Sequence, residues 1–337
     1  MRILIVGIGA LGGTIATRAL SACMEVCLAT RTEASANILR SGLKVSGVGG
    51  AASAVPSRVA VIEDYEEQES FDLILLATKA HDALESAPAL THLLTPRGIL
   101  LPIQNGAVAQ ILADRLGSGR VIGGLSNLGA TMVEPGVYDQ RNAGHLLIGE
   151  LAGGSSERVE SIAQALKGAI DVRTTANLRG AVWAKLLLNC SVTTIGAIAG
   201  RTMRQYMILP GGREVFRRAY DEALAVAFGM GIQTERMIVD PVPPGWIERS
   251  TTGKEYDGWI DQILGAYGDL KPSMLQDFER GRRTEIDFIN SYVAQLGAGN
   301  ALPVSMNAAI TQMVHSIENG AVPPDPVRLV ELTGKGG

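Results

Sequence analysis

Arg2-Ile3-Leu4-Ile5-Val6-Gly7-Ile8-Gly9-Ala10-Leu11-Gly12 opens the chain with a run of apolar, mostly β-branched residues that ends in three spaced glycines. An extended run broken by G-x-G-x-x-G and followed by a helix-forming stretch reads as strand, tight turn, helix. In such a turn Gly7 permits the sharp bend, Gly9 lets the backbone approach a ligand, and Gly12 allows close packing of helix on strand. An anionic ligand would then lie against helix N-terminal N–H groups, where the helix dipole favours negative charge. Three glycines alone also fit a bare turn, so the flanking pattern has to decide.

That pattern alternates. Strand-like segments recur at 2–6, 25–29, 72–77, 99–103, 121–123 and 146–148, with helical stretches at 10–22, 81–94 and 108–116 between them. Leu73-Ile74-Leu75-Leu76-Ala77 is apolar at every position, as expected of a parallel strand covered on both faces. Alternating strands and helices predict a doubly wound α/β sheet of Rossmann type, with the glycine turn binding a dinucleotide pyrophosphate. Helix at 155–167 and a short strand at 172–174 close this half. Beyond it the chain reads as mostly helical: 178–198, 213–228, 273–278, 285–296 and 304–317. We therefore expect a dinucleotide-binding domain at 1–176, an all-helical substrate domain at 177–330 and a frayed tail at 331–337, with 240–245 a loop and 251–268 an insertion between helices.

The 337 residues exceed what one core usually serves, and 46% hydrophobic with 19% charged residues is the composition of a folded protein. A net charge of −4 with scattered Arg and Lys points away from nucleic acid and membrane surfaces, while leaving room for a locally basic site. Three cysteines give no disulfide framework and four separated histidines no ligand spacing, so no metal site is signalled. The N-terminal apolar run and Leu20-Ser21-Ala22-Cys23 have some likeness to an export signal. Arg18 at its end and the spaced glycines within it favour a first strand and helix, hence a cytoplasmic protein. A monomer and a homodimer are equally compatible with the sequence.

After the second strand, an acidic residue would hold the ribose 2′-OH of NAD, whereas an arginine can accommodate the 2′-phosphate of NADP. Thr30-Arg31-Thr32-Glu33 puts Arg31 at that place, with Glu33 as the competing NAD reading. Two further turns follow strands, where ligands of such sheets bind: Thr78-Lys79, and Gln104-Asn105-Gly106. Lys79 as a solvated charge and Asn105 as a turn residue are the plainer readings.

Val182-Trp183-Ala184-Lys185-Leu186-Leu187-Leu188-Asn189-Cys190-Ser191-Val192-Thr193 is apolar around most of a helix, yet Lys185, Asn189 and Thr193 lie four apart on one row. A charge and an amide there are costly unless paired or facing a polar cavity. Spacing alone leaves open whether Lys185 serves a site or snorkels to water. The run from Lys271 to Asn290 is dense in charge, and Arg283 with Asp287 at i,i+4 is explained equally well as a surface pair.

Taken together, these segments resemble the ketopantoate reductase (2-dehydropantoate 2-reductase) family over nearly the whole chain. The distinctive pieces are Thr78-Lys79, Gln104-Asn105-Gly106, Trp183-Ala184-Lys185-Leu186 ahead of Asn189-Cys190, and Ser273-Met274-Leu275-Gln276-Asp277, twelve positions before Glu285 in Thr284-Glu285-Ile286-Asp287. The resemblance implies that the backbone of Gly7, Ile8, Gly9, Ala10, Leu11 and Gly12 holds the pyrophosphate of NADP and Arg31 its 2′-phosphate. It places Lys79 and Ala130 beside the cofactor, and Asn105 at the nicotinamide ribose and substrate. It makes Lys185 the general acid, Glu285 the carboxylate at the cofactor and substrate end, and Asn189 and Ser273 substrate contacts. The family usually carries a second Asn followed by Pro where this chain has Thr193-Thr194, which would alter the substrate pocket around Thr193. The implied activity is NADPH-dependent reduction of a 2-oxo acid, with ketopantoate leading. A paralogue acting on another branched or bulky oxo acid, and a non-catalytic NADP sensor, are the alternatives.

Overall fold

The computed structural model describes residues 1–66 and 69–334. It divides into two compact units, Met1–Leu178 and Arg179–Gly337.

In the first unit β1 (Ile3–Val6) runs into α1 (Ala10–Ser21), β2 (Val26–Thr30) into α2 (Glu33–Arg40), and β3 (Leu43–Gly47), β4 (Ala52–Ala54) and β5 (Val59–Val61) follow. Next come β6 (Phe71–Leu76), α3 (Ala80–Leu90), β7 (Leu94–Pro102), α4 (Val108–Leu116), β8 (Gly123–Ser126), β9 (Ala130–Glu134), β10 (Val137–Gln140), β11 (Leu146–Gly149), α5 (Glu157–Leu166) and β12 (Val172–Thr174). Five parallel strands in the order β5-β2-β1-β6-β7 form the central sheet, whose direction of winding reverses between β1 and β6. This is the expected doubly wound arrangement, and the carboxyl ends of β1 and β6 flank its switch point. Ile3 to Val6 and Leu73 to Leu76 are fully buried, which explains why these strands lack polar alternation.

Two smaller sheets were not expected. β4-β3-β10-β9 lies against α1, and β12-β11-β8 carries α5. The strands of the first are short and divided by Gly47 to Gly50 and by Pro135-Gly136, so sequence pattern reads them as loop, whereas those of the second fall at or beside the strands expected at 121–123, 146–148 and 172–174 but pair apart from the central sheet. Tyr138 on β10 is fully buried over Gly13 of α1, where an added Cβ would stand 2.0 Å from its ring.

The second unit is helical. α6 (Leu178–Leu188) continues through a π-helical turn at Asn189–Thr193 into α7 (Thr194–Ala199), and α8 (Met203–Tyr206), α9 (Gly212–Gly229) and α10 (Gly253–Tyr267) follow. α11 (Ser273–Glu279), α12 (Asn290–Gly299), α13 (Ser305–Glu318) and α14 (Val327–Gly334) complete it. Residues 178–199 are long and apolar enough to cross a membrane, but most of this stretch is buried within the protein, as in a core helix.

Three expectations change here. The supposed insertion at 251–268 is α10, a core helix started by a capping box between Thr252 and Glu255, with Tyr256, Trp259, Ile260 and Ile263 buried on one face. The helix expected at 285–296 begins only at Asn290, after a 3₁₀ turn at Ile286–Phe288 and a non-helical Ile289. The tail expected from 331 is helical to Gly334, because Leu329 and Leu332 bury an apolar stripe; residues 335–337 lie outside the described part.

Candidate active site

The three glycines of the first turn meet three different surroundings. Gly7 has φ +90°, and a Cβ there would lie 2.6 Å from the Thr78 backbone nitrogen. At Gly12 a Cβ would stand 2.1 Å from the Gly7 carbonyl oxygen and 2.8 Å from the Ala77 Cβ, so helix and strand touch through the missing side chain. At Gly9 a Cβ would meet nothing within 4 Å. No fold contact explains that glycine; its bareness leaves backbone open to an incoming group. Gly9 is also the N-cap of α1, with no side-chain cap and no acid in the first turn to compete for the N–H groups of Ala10, Leu11 and Gly12. Ile8 is tied from below, its carbonyl accepting the Tyr138 hydroxyl at 3.1 Å.

Around this turn stand the other first-unit residues. Arg31 directly follows β2, with its side chain 75% exposed and 3.1 Å from Asp82 Oδ2 on α3. Glu33 is turned to Arg40 at 2.5 Å, within α2. Lys79 is the N-cap residue of α3. Asn105 sits in the bend before α4, followed by Gly106 at φ +75°. Gln104 donates from Nε2 to the carbonyls of Leu76 and Thr78, both at 3.0 Å. Its Oε1 and the Thr78 hydroxyl are buried without a hydrogen-bond partner. Orphaned polar atoms are expensive in a fold and mark where a polar ligand would satisfy them. Together with the bare Gly9 and the uncapped helix end, they fit a dinucleotide across β1, β6 and β7. Ala130 begins β9, opposite Gln140 and on the sheet that lies against α1.

In the second unit Lys185, Asn189 and Thr193 are all half-buried within a largely buried stretch, so the row read from the sequence is a real feature of this helix. Burial pulls the Lys185 ammonium down from its usual value to about 8, and the Glu285 carboxylate, close enough to act on it, pulls the other way. The structure therefore brings Lys185 and Glu285 together across 100 residues of sequence. Glu285 stands just ahead of the 3₁₀ turn, and its neighbour Thr284 is buried and donates its N–H to Glu318 at 2.6 Å. Glu318 in turn contacts His315, which reaches Asp287 at 3.1 Å, so the loop bearing Glu285 is fastened to α13. Asp287 also holds Arg283 at 2.8 Å, the surface pair that the charge spacing suggested. Ser273 is exposed at the first position of α11, which packs on the π-turn and α7. Cys190 is fully buried and its thiol is pushed up by desolvation, which disqualifies it as a nucleophile.

The sequence reading singled out neither Tyr138 nor Asn290 and Tyr206, which hold the π-turn. Nothing local marks Tyr138, whose partner Ile8 is 130 residues away. Asn290 could have been noticed as an amide in an apolar stretch.

Two family models cover most of the chain: "Ketopantoate reductase PanE/ApbA" matches residues 3–153 and "Ketopantoate reductase PanE/ApbA C terminal" residues 177–318. A 2-dehydropantoate 2-reductase of Pyrococcus abyssi is 28% identical over 94% of this chain and 98% of its own length. That of Archaeoglobus fulgidus is 26% identical over 95% and 98%. Among solved structures, a 2-dehydropantoate 2-reductase from Geobacter metallireducens superposes with TM-score 0.76 at 26% identity, over 94% of this chain and 99% of that one. D-mandelate dehydrogenase with NADH and anilino(oxo)acetate gives TM-score 0.77 at 20% identity, over 95% and 99%, a likeness of fold. With both family models matched, a glycine turn in the first unit and Lys185 beside Glu285 in the second, this chain belongs to the ketopantoate reductase family.

Proposed function

We propose that the protein reduces a 2-oxo acid to the 2-hydroxy acid with NADPH, and that ketopantoate is its substrate. The observation that carries this reading is the amine of Lys185, held in an apolar helix beside Glu285 with its affinity for a proton lowered to near neutrality. When bound, the nicotinamide supplies the hydride that reaches C2 of the oxo acid. Negative charge then gathers on the former carbonyl oxygen, and the Lys185 ammonium stabilises it and gives up one proton to complete the alcohol. A donor with a pKa near 8 releases that proton more readily than an ordinary lysine while remaining charged at neutral pH. Glu285 keeps the amine protonated and oriented. Asn189 and Ser273 offer neutral polar groups to the substrate's carboxylate and hydroxyl, and Asn105 does so at the nicotinamide ribose.

The choice of NADPH over NADH rests on Arg31, exposed at the end of β2, and on Glu33 being engaged by Arg40. Lys79 and the backbone at Ala130 complete the cofactor's surroundings in this reading.

A second reading, a bulkier or differently branched oxo acid, is favoured by Thr193-Thr194. Where the family's usual Asn would reach the substrate, Thr193 is shorter and its hydroxyl already donates to the Asn189 carbonyl at 3.0 Å. NADPH oxidation followed at 340 nm with ketopantoate, 2-oxoisovalerate, phenylglyoxylate and pyruvate separates the readings. Ketopantoate should give the highest kcat/KM. A clear preference for phenylglyoxylate would move the protein to the second reading, and tight NADPH binding without turnover on any oxo acid would make it a sensor.

A further inference from the structure

We propose that Glu222, Asn307 and Asn290 form a relay of side-chain hydrogen bonds which, with Tyr206, holds the π-turn at Asn189–Thr193 in place and thereby positions Asn189 and Thr193 for the substrate. In a regular α-helix the Thr194 N–H would bond to the Cys190 carbonyl; here it bonds to Asn189, five residues back. Three successive carbonyls of the turn then receive side-chain donors. Asn189 accepts the hydroxyls of Thr193 and Thr194 at 3.0 and 2.9 Å. Cys190 accepts Asn290 Nδ2 at 3.0 Å, and Ser191 accepts the Tyr206 hydroxyl at 3.0 Å. Thr193 and Thr194 thus support the turn from within, and Asn290 and Tyr206 support it from elsewhere in the fold.

The polarity of the relay is set by its far end. Both carboxyl oxygens of Glu222 accept backbone N–H groups, Oε1 that of Met306 at 2.8 Å and Oε2 that of Asn307 at 2.9 Å, and Oε2 also takes Asn307 Nδ2 at 2.9 Å. The Ala219 carbonyl, also an acceptor, takes the same Nδ2 at 3.0 Å. Asn307 Oδ1 must therefore face the other way, where it accepts Asn290 Nδ2 at 3.0 Å. That fixes the Asn290 amide with its donor toward Cys190. Asn290 and Asn307 are both fully buried, and Asn290 Oδ1 has no partner. A fold that only needed packing would not keep an unsatisfied amide there. Were the turn to relax to α-helix, the segment beyond it would rotate by about 100° relative to Lys185, since each residue of an α-helix turns by that angle.

The proposal rests on the substrate contact given above to Asn189 and on the place of Thr193 beside the substrate, and its test separates positioning from that reading. Asn290→Leu and Tyr206→Phe are made in the full chain, and each is assayed for oxo-acid kcat and KM, NADPH affinity by fluorescence, and amide exchange over residues 186–198. Asn290→Leu should raise the oxo-acid KM about tenfold and speed exchange through the turn while NADPH affinity stays within about twofold; Tyr206→Phe should do the same more weakly, about threefold. A lower melting temperature with unchanged KM and unchanged exchange would overturn the positioning role. Should Asn290→Leu fail to fold, Tyr206→Phe decides. If the wild-type protein turns over no oxo acid, the functional reading fails by itself, and unchanged exchange in the variants would still overturn the relay.

Discussion

The glycine turn at Gly7–Gly12 works through side chains that are missing, whereas the helix from Leu178 to Ala199 works through side chains placed where they are least welcome. In the first, Gly7 and Gly12 are dictated by close backbone approach, Gly7 to Thr78 and Gly12 to the Gly7 carbonyl and Ala77, and of the three glycines Gly9 alone is free of any fold contact. In the second, Lys185 depends on Glu285, and the π-turn depends on Asn290, Asn307 and Tyr206, all from other helices or loops. One site is thus specified by the room its backbone needs and the other by the side chains that pair with it, and each should fail in its own way.

The largest effect belongs to the side-chain site. Lys185→Ala should lower kcat by roughly 10²–10⁴-fold, the range for loss of a general acid, with NADPH binding by fluorescence nearly unchanged. Loss of cofactor binding in step with kcat would mean that Lys185 only supports the fold.

The backbone site is sharpened by a contrast between two of its own glycines. Gly12→Val should destabilise the protein by several kcal/mol, seen as a large drop in melting temperature, because its Cβ collides with Gly7 and Ala77. Gly9→Val should melt close to the wild type and weaken NADPH by about tenfold or more, since its side chain fills space that only a ligand would use. Equal melting losses in both variants would remove Gly9 from the cofactor site.

Smaller effects concern cofactor choice. Arg31→Ala should weaken NADPH about tenfold while leaving NADH within about twofold, the loss of one exposed charge-assisted contact. Parallel losses would show that Arg31 does not read the 2′-phosphate. Glu33→Ala should change neither cofactor by more than about twofold, because Glu33 is spent on an exposed pair with Arg40. A marked loss of NADH alone would reinstate the acidic reading of the second strand.

What sequence made legible follows the same division. The doubly wound sheet was readable because Ile3 to Val6 and Leu73 to Leu76 are buried on both faces and say so in every residue. The row Lys185, Asn189 and Thr193 was readable because helical spacing survives the π-turn well enough to keep all three half-buried. The mixed sheet over α1 was not, because its strands are short and its anchor, Tyr138, is recognised only once α1 is beneath it. The helix at Gly253–Tyr267 was missed although Thr252 and Glu255 spelled a capping box; glycines at 253, 258 and 265 masked the apolar stripe of Tyr256, Trp259, Ile260 and Ile263. The π-turn was beyond reach, since its partners Tyr206 and Asn290 lie 15 and 100 residues from the carbonyls they serve.

The proton donor is tested most directly by the pH dependence of kcat/KM for oxo-acid reduction by the wild-type enzyme. Burial lowers the folded-state pKa of Lys185, so the ammonium persists below about pH 8 and is lost above it, well before an ordinary lysine would titrate. The account predicts a plateau at neutral pH and a tenfold fall per unit on the alkaline side, with an apparent pKa near 8. A profile that stays level to pH 10 would contradict it.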